Sequence, residues 1–421
     1  MQRVETEGWA LPDRLPDGRR DRGWHHVNVV PSRQATVWNE ESMSARRRHL
    51  VCLLLCLGMH ACDDGSDPVG DGSLARWVLD PTPRMELGEF DGEPEEVFSR
   101  ISGVGLLGDG GVVVGNAASG TLRVFDARGV FELELGGEGE GPGEFAYLAH
   151  VRVLDGDTIL AYDPVAYRLS LFTRSGQTHA TVQMDATNGA PEVYFGRDGR
   201  GQHLVALIRP EPRDPTEVTA DVMELRRYGA DGAVWESLGT FPGMRRMRSP
   251  VPLSPHLIGA VLGDTVFVTD GLSAQVRAIA PAGASSRIVD GAEVVWTPSE
   301  ARQRLEDHID DPAVAQRLQD AGVATVWDSV PHFSDALPDP GGHLWLKRYD
   351  PATDSHWVSR RRSGGLWIVA TTDGVPVAEV VMPDGFRLMA VGPDRVAGVH
   401  TDELGVERVV VYSLQRVGGA A

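Results

Sequence analysis

The chain has 421 residues, room for two or three ordinary domains or one large repeat domain. Its 49 Gly and 27 Pro, with only 7% aromatic residues, suit many short strands joined by turns, and 60 Asp+Glu against 40 Lys+Arg leave a formal net charge of -20. That balance argues against a duplex or a polyanionic surface as partner, so no nucleic-acid function is expected.

Residues 1–42 lack periodicity and read as a non-native extension from a mispredicted start, with Met43 as the initiator. The segment MSARRRHLVCLLLCLGMHAC (43–62) has a basic stretch at Arg46–Arg48, an apolar stretch from Leu50 to Leu57, and a small residue just before Cys62. Its apolar stretch is too short to span a bilayer as a helix. The segment resembles a bacterial lipoprotein signal, in which 43–61 is removed and the Cys62 thiol carries the lipid. Met59 and His60 depart from the usual Leu and small residue of that pattern, so an ordinary secretory signal with Cys62 incidental is the alternative. Residues 62–73, with DDGSDPVGDGS after the cysteine, form a flexible acidic tether. All three cysteines lie at or before position 62, so the body has no disulfide and no thiolate metal site.

From residue 74 to 417 the chain is almost entirely strand and turn. A Gly or Asp turn followed by an apolar, β-branched run occurs six times: GDGGVVVGN (108–116), GDTILAYD (156–163), GRGQHLVAL (199–207), GDTVFVTD (263–270), GGHLWLKRYD (341–350) and PDRVAGVH (393–400). Six similar hairpins predict an all-β repeat fold, a six-bladed β-propeller. The expected blades are 104–136, 150–184, 193–239, 256–290, 333–382 and 386–414. Second strands that are apolar on both faces fit sheets sandwiched between sheets.

The last blade supplies three strands and then the chain ends. The missing outer strand is expected within 77–88, because Leu87-Gly88 before EFDGEPEEVF (89–98) echoes Leu135-Gly136 before GEGEGPGEF (137–145). One segment breaks the β pattern: residues 297–322 are a helical insertion between blades four and five. Thr297 and Glu300 form a capping box there, and Ala301, Leu305 and Ile309 form the apolar stripe. A second short helix is expected from Asp311-Pro312 to Gly322.

The loop GGEGEGPGEF (136–145), followed by GDTILAYDPVAYRLSLF (156–172), resembles an NHL-type repeat. More closely, GEGEGPGEF, GHLWLKRYDP (342–351) and DELGVERVVVYSL (402–414) resemble the six-bladed β-propeller lipoproteins of environmental bacteria. The resemblance spans about 77–415 and implies a propeller carried outside the cytoplasm on a lipid anchor, at the cytoplasmic or outer membrane. It implies no settled activity.

The Gly-rich loop lacks the Lys-Ser/Thr pair and the helix of a phosphate cradle, and Glu138, Glu140 and Glu144 would repel phosphate. His150, His256 and His332 sit just before or at the start of predicted innermost strands in three different blades. Such starts surround the mouth of a propeller channel, so the three imidazoles are candidate ligands for a divalent metal there. Some NHL-fold lyases hold a metal in that place. Trp357, Arg360, Arg361 and Arg362 form the one basic, aromatic-bearing loop of an acidic chain and are a candidate binding loop for an anionic partner. The expected function is a monomeric binding or interaction module for a protein, glycan or small-molecule ligand, requiring no cofactor and touching the membrane only through its anchor. The alternative is a metal-dependent lyase or hydrolase working at the channel mouth.

Overall fold

The computed structural model describes residues 74–417, except 186–188, 210–216, 247–250, 252, 255, 282–284, 289–295, 310–315, 317–328 and 355–363, all within the unit Val69–Ala421. Three short strands open it: β1 (Ala75–Arg76), β2 (Val78–Leu79) and β3 (Met85–Leu87). Blade one is β4 (Ile101–Leu106), β5 (Val112–Asn116), β6 (Thr121–Phe125) and β7 (Phe131–Gly136). Blade two is β8 (His150–Leu154), β9 (Thr158–Asp163), β10 (Arg168–Phe172) and β11 (Thr178–Gln183). Blade three is β12 (Ala190–Arg197), β13 (His203–Arg209), β14 (Thr219–Tyr228) and β15 (Val234–Arg246). Blade four is β16 (Ile258–Leu262), β17 (Thr265–Thr269), β18 (Val276–Ile279) and β19 (Ser285–Ile288). Blade five is β20 (Phe333–Pro338), β21 (His343–Arg348), β22 (Gly365–Thr371) and β23 (Pro376–Met382). Blade six is β24 (Phe386–Val391), β25 (Arg395–Thr401) and β26 (Glu407–Gln415). Each blade is an antiparallel meander running outward from its first strand.

The second strands explain the ring. Side chains alternate along a strand, so an apolar strand presents one set to each neighbouring sheet. On β5, Val113 packs with blade two while Val112 and Val114 pack with blade six. On β13, Leu204 and Ala206 face blade four while Val205 and Leu207 face blade two. Blades four and five, and blades five and six, share cores in the same way. The outermost strand β7 instead alternates half-buried and exposed residues, as a strand with one solvated face should. The structure is a six-bladed β-propeller.

Small residues let the innermost strands crowd together. A Cβ on Gly103 would come within 2.8 Å of the Val151 backbone nitrogen, and one on Gly105 within 2.5 Å of a Val153 methyl. Blade one can therefore pack its innermost strand directly on that of blade two.

The N-terminus closes blade six, as the loop echo predicts. β3 pairs antiparallel with β26 from Val409↔Leu87 to Val411↔Met85, and β2 pairs with its far end at Val78↔Gln415. Between them Pro81 and Pro83 have no N–H to give the ladder, so the closing strand comes in two pieces. Trp77 and Met85 are buried, whereas Val78 is 47% exposed because it stands on the solvated side of an edge. β1 does something the echo did not predict: it pairs in parallel with β23 of blade five. Trp77 then lies under the Arg416 guanidinium, 4.5 Å from the ring centre. Arg416 in turn donates to the buried Asp339 carboxylate at 3.0 Å, stapling the first and last strands of the propeller to blade five.

Helix α1 (Pro298–Glu306) carries the expected capping box: the Thr297 hydroxyl accepts from the Glu300 N–H and the Glu300 carboxylate accepts from the Thr297 N–H. Ala301 and Leu305 are buried against Leu253 and Tyr349, with Ile309 beside them. The second expected helix lies outside the described residues except for Gln316, which is helical.

Candidate functional site

In a closed ring the first strand of every blade lines the central channel. Three of those strands, β8, β12 and β20, bring charged or titratable side chains to it. Arg152 is the third residue of β8 and Asp335 the third residue of β20, in blades two and five, which stand opposite each other in a ring of six. Each is half-buried. Arg152 donates through Nε to His150 Nε2 at 2.9 Å, which fixes the guanidinium plane. Its two terminal nitrogens have no hydrogen bond and no ion pair among the described residues. Asp335 accepts the Ala336 N–H at 2.8 Å through Oδ1, and Oδ2 has no partner among the described residues. The two charges act on each other across the channel without forming an ion pair.

The surroundings are desolvated, and every shift follows from that. Burial, helped by the Arg152 charge, pushes the His150 imidazole down to about 3, so it is the neutral acceptor its hydrogen bond requires. Burial lowers His256 even though Asp335 faces it, and raises the Asp335 carboxyl despite Lys347, His256 and Arg152 nearby. Tyr194, buried on β12, is raised by the same cause and places its hydroxyl 3.1 Å from His203 Nδ1. His203 is pushed down to about 4, again by burial first and Arg197 second.

Beside the channel, blade five carries a second charged group. Lys347, the single lysine of the chain, is buried at the end of β21 and pairs with Asp354. Asp354 ends a single helical turn (Pro351–Asp354), and its other oxygen takes the Ser334 hydroxyl and the Asp350 N–H, both at 2.9 Å. Asp350 receives the Arg304 guanidinium through two bonds of 2.7 Å, which docks α1 onto this blade.

Of the residues singled out in the sequence, His150 and His256 belong to the channel cluster. His256 has its Nε2 3.1 Å from the Ser334 carbonyl oxygen, which makes that nitrogen the donor. His332 sits just ahead of β20, half-buried, its backbone bonded to Gly271 and Tyr349, with burial and Arg348 lowering its imidazole. The three do not gather: among the described residues no three His, Cys, Asp or Glu side chains form a group that could hold a metal. Trp357, Arg360, Arg361, Arg362 and Cys62 lie outside the described residues. Sequence reasoning missed Arg152, Asp335, Tyr194 and His203. A charged residue inside a short apolar strand, as in HVRVL (150–154) and FSDALP (333–338), was the available signal.

The Gly-rich loop is structural. Its carbonyls at Glu140 and Glu144 take the Arg168 guanidinium, and Phe145 packs against Phe172. The echo loop before blade one is held alike, with Arg123 donating to the Glu95 and Val97 carbonyls and Phe98 against Phe125. Gly136, at φ 83°, makes the turn from β7 into this loop with the Phe145 ring pressed against it.

A family model described as 6-bladed beta-propeller, DUF5128, matches residues 94–188, which are blades one and two with this loop between them. The comparison agrees with the sheet topology. Among solved structures, a member of the duf4221 family from Bacteroides vulgatus is similar at 9% identity, covering 82% of this chain and 100% of that one, with a TM-score of 0.47. A calcium-binding protein, regucalcin, from Agrobacterium tumefaciens is similar at 13% identity, covering 81% and 95%, TM-score 0.39. Virginiamycin B lyase from Staphylococcus aureus is similar at 10% identity, covering 81% and 99%, TM-score 0.38. At such identities and scores these likenesses bear on neither substrate nor reaction. No curated protein matches the sequence.

Proposed function

We propose that the chain is an exported, lipid-anchored binding module, a monomer whose propeller takes a small polar ligand in the channel. The observation that carries this reading is the Arg152–Asp335 arrangement: two opposite charges held on facing blades, each with hydrogen-bonding capacity left over. Buried charges are costly unless paired, so a fold that keeps two of them apart is prepared for a third party. Trp357, Arg360, Arg361 and Arg362 are kept as candidates for binding an anionic partner on the strength of the sequence. Cys62 and the tether to 73 would hold the propeller off the membrane.

No observation favours the metal-dependent lyase or hydrolase, since His150 Nε2 is occupied by Arg152 and His256 Nε2 faces a carbonyl. A thermal-shift screen of the full chain against small polar metabolites tests the reading. At least one compound should raise Tm in the wild type and fail to do so in Arg152→Gln and Asp335→Asn. A screen in which no compound acts through these two residues overturns it. Growth with labelled fatty acid should mark the protein, and Cys62→Ser should abolish the label. Soluble, unlabelled wild-type protein would contradict the anchor.

A further inference from the structure

The channel and the blade-five group beside it hold two cations, Arg152 and Lys347, and two carboxylates, Asp335 and Asp354. Only one of the two possible pairs is made. Lys347 and Asp354 satisfy each other in a buried contact, with Ser334 and a backbone N–H completing the carboxylate. Arg152 and Asp335 are left over. They cannot collapse onto one another, because each is the third residue of a strand fixed in its own sheet, one in blade two and one opposite in blade five.

The leftover valences are directional. With Nε committed to His150, the two terminal nitrogens of Arg152 present the fork that a carboxylate fits in a bidentate way. With Oδ1 committed to the Ala336 N–H, Asp335 presents Oδ2, an acceptor for an ammonium group. The other titratable groups facing them add no competing net charge. His256 and His150 are kept neutral by burial, Tyr194 keeps its proton, and Lys347 is neutralised by its partner. A ligand with one charge would satisfy one wall of the channel and leave the other unpaired. A ligand with both would satisfy the two together.

We infer that the channel is a receptor for a small zwitterion, an amino acid or short peptide with its carboxylate on Arg152 and its ammonium on Asp335. This rests on the binding function proposed above and names the chemistry of the ligand. The pairing of charge with blade sets the polarity of the bound molecule, with its carboxylate towards blade two and its amine towards blade five. Both contacts are hydrogen-bonded ion pairs, and no covalent step is involved.

Calorimetric titration of the full chain with glycine, diglycine and triglycine tests this, with acetate and methylammonium as single-charge controls. The series varies the span between the two charges, so the member that bridges the channel should bind best. It should bind at least about tenfold more tightly than either control. Arg152→Gln and Asp335→Asn should each weaken it by about tenfold or more, and Arg152→Lys, which keeps the charge but loses the fork, by less. If a variant does not fold, the wild-type ranking of zwitterion against the two controls still decides the matter. Controls that bind as tightly as every zwitterion, or affinities within about twofold in both variants, overturn the inference. A metabolite that stabilises the protein through Arg152 while the glycine series does not bind would overturn the zwitterion and leave the binding function standing.

Discussion

The tripeptide Tyr-Asp-Pro occurs twice at the end of a second strand, at 162–164 and at 349–351, and its aspartate has two different fates. In blade two, Asp163 is fully buried and spends both oxygens on the main chain: Oδ2 accepts from the Ala146 and Tyr147 N–H groups, Oδ1 from Val165 and Ala166. In blade five, Asp350 is half-buried and takes the side chain of Arg304 from an inserted helix, with one backbone N–H from Ala352. Blade one has an asparagine at the corresponding place, where Asn116 accepts the Ser99 N–H and passes a hydrogen bond to Ser119. A carboxylate absorbed by four amides ties down the entry into its blade and has nothing left to offer. A carboxylate that waits for a guanidinium can be used to dock something, here a helix. The channel charges extend the second mode: Asp335 gives one oxygen to a single backbone N–H, Arg152 gives one nitrogen to His150, and the two do not pair with each other.

The largest effect should come from opening the ring on which both blades depend. Removing residues 74–88 takes away the buried Trp77 and Met85 and the half-buried Leu79 and Leu87. At about 1.5–3 kcal/mol for each fully buried side chain, the loss is on the order of 6 kcal/mol as an upper bound. That is comparable with the net stability of a typical domain, about 5–15 kcal/mol. The truncated protein should aggregate through the exposed edge of β26, read by light scattering; an unchanged Tm would refute closure by this strand.

Asp163→Asn should come next. The amide can accept through only one of its two ends, so two buried N–H groups lose their partner, at about 1–3 kcal/mol each. Chemical denaturation should show a loss of about 2–6 kcal/mol with zwitterion binding unchanged. A loss under about 0.5 kcal/mol would mean that the main-chain anchoring is dispensable.

Acid separates the buried imidazole near the channel from the docked helix. His203 is held at about 4 in the folded protein against an unfolded value near 6.5. The unfolded chain therefore takes up the proton first, and stability falls as pH drops from about 6.5 towards about 4. At pH 5 the penalty is about 2 kcal/mol, and His203→Gln should flatten the stability profile between pH 7 and 5 by that amount. Identical slopes in variant and wild type would show that this imidazole is not buried neutral.

The smallest effect belongs to Arg304→Ala. Burial works to raise the Asp350 carboxyl, but the Arg304 hydrogen bonds and the Ala352 amide hold it below its ordinary value. The contribution is present above the ordinary carboxylate value near 3.9 and is lost as pH falls through the lower folded value. The pair is solvated at its edge, with Arg304 36% exposed, so the substitution should cost about 1 kcal/mol at pH 7 and nothing in strong acid. Proteolysis within 297–309 should become faster, and no change in cleavage rate would show that the ion pair does not hold the helix.

What the sequence determined by itself is whatever neighbouring residues encode together. Six turn-and-strand signatures set the blade count, apolar runs without alternation announced sheets covered on both sides, and Thr297 with Glu300 marked the start of a helix. The Leu-Gly echo at 87–88 and 135–136 even located the closing strand. The tertiary structure alone decided which charges meet. Arg152 and Asp335 face each other only because the ring closes, Trp77 reaches Arg416 and Asp339 only at the seam, and β1 crosses to blade five. His150 looked like a metal ligand until its lone pair was seen to hold Arg152 in place. Hydrophobic periodicity repeats every few residues and is legible locally, whereas the partner of a lone charge in a strand depends on how many blades separate it from its opposite.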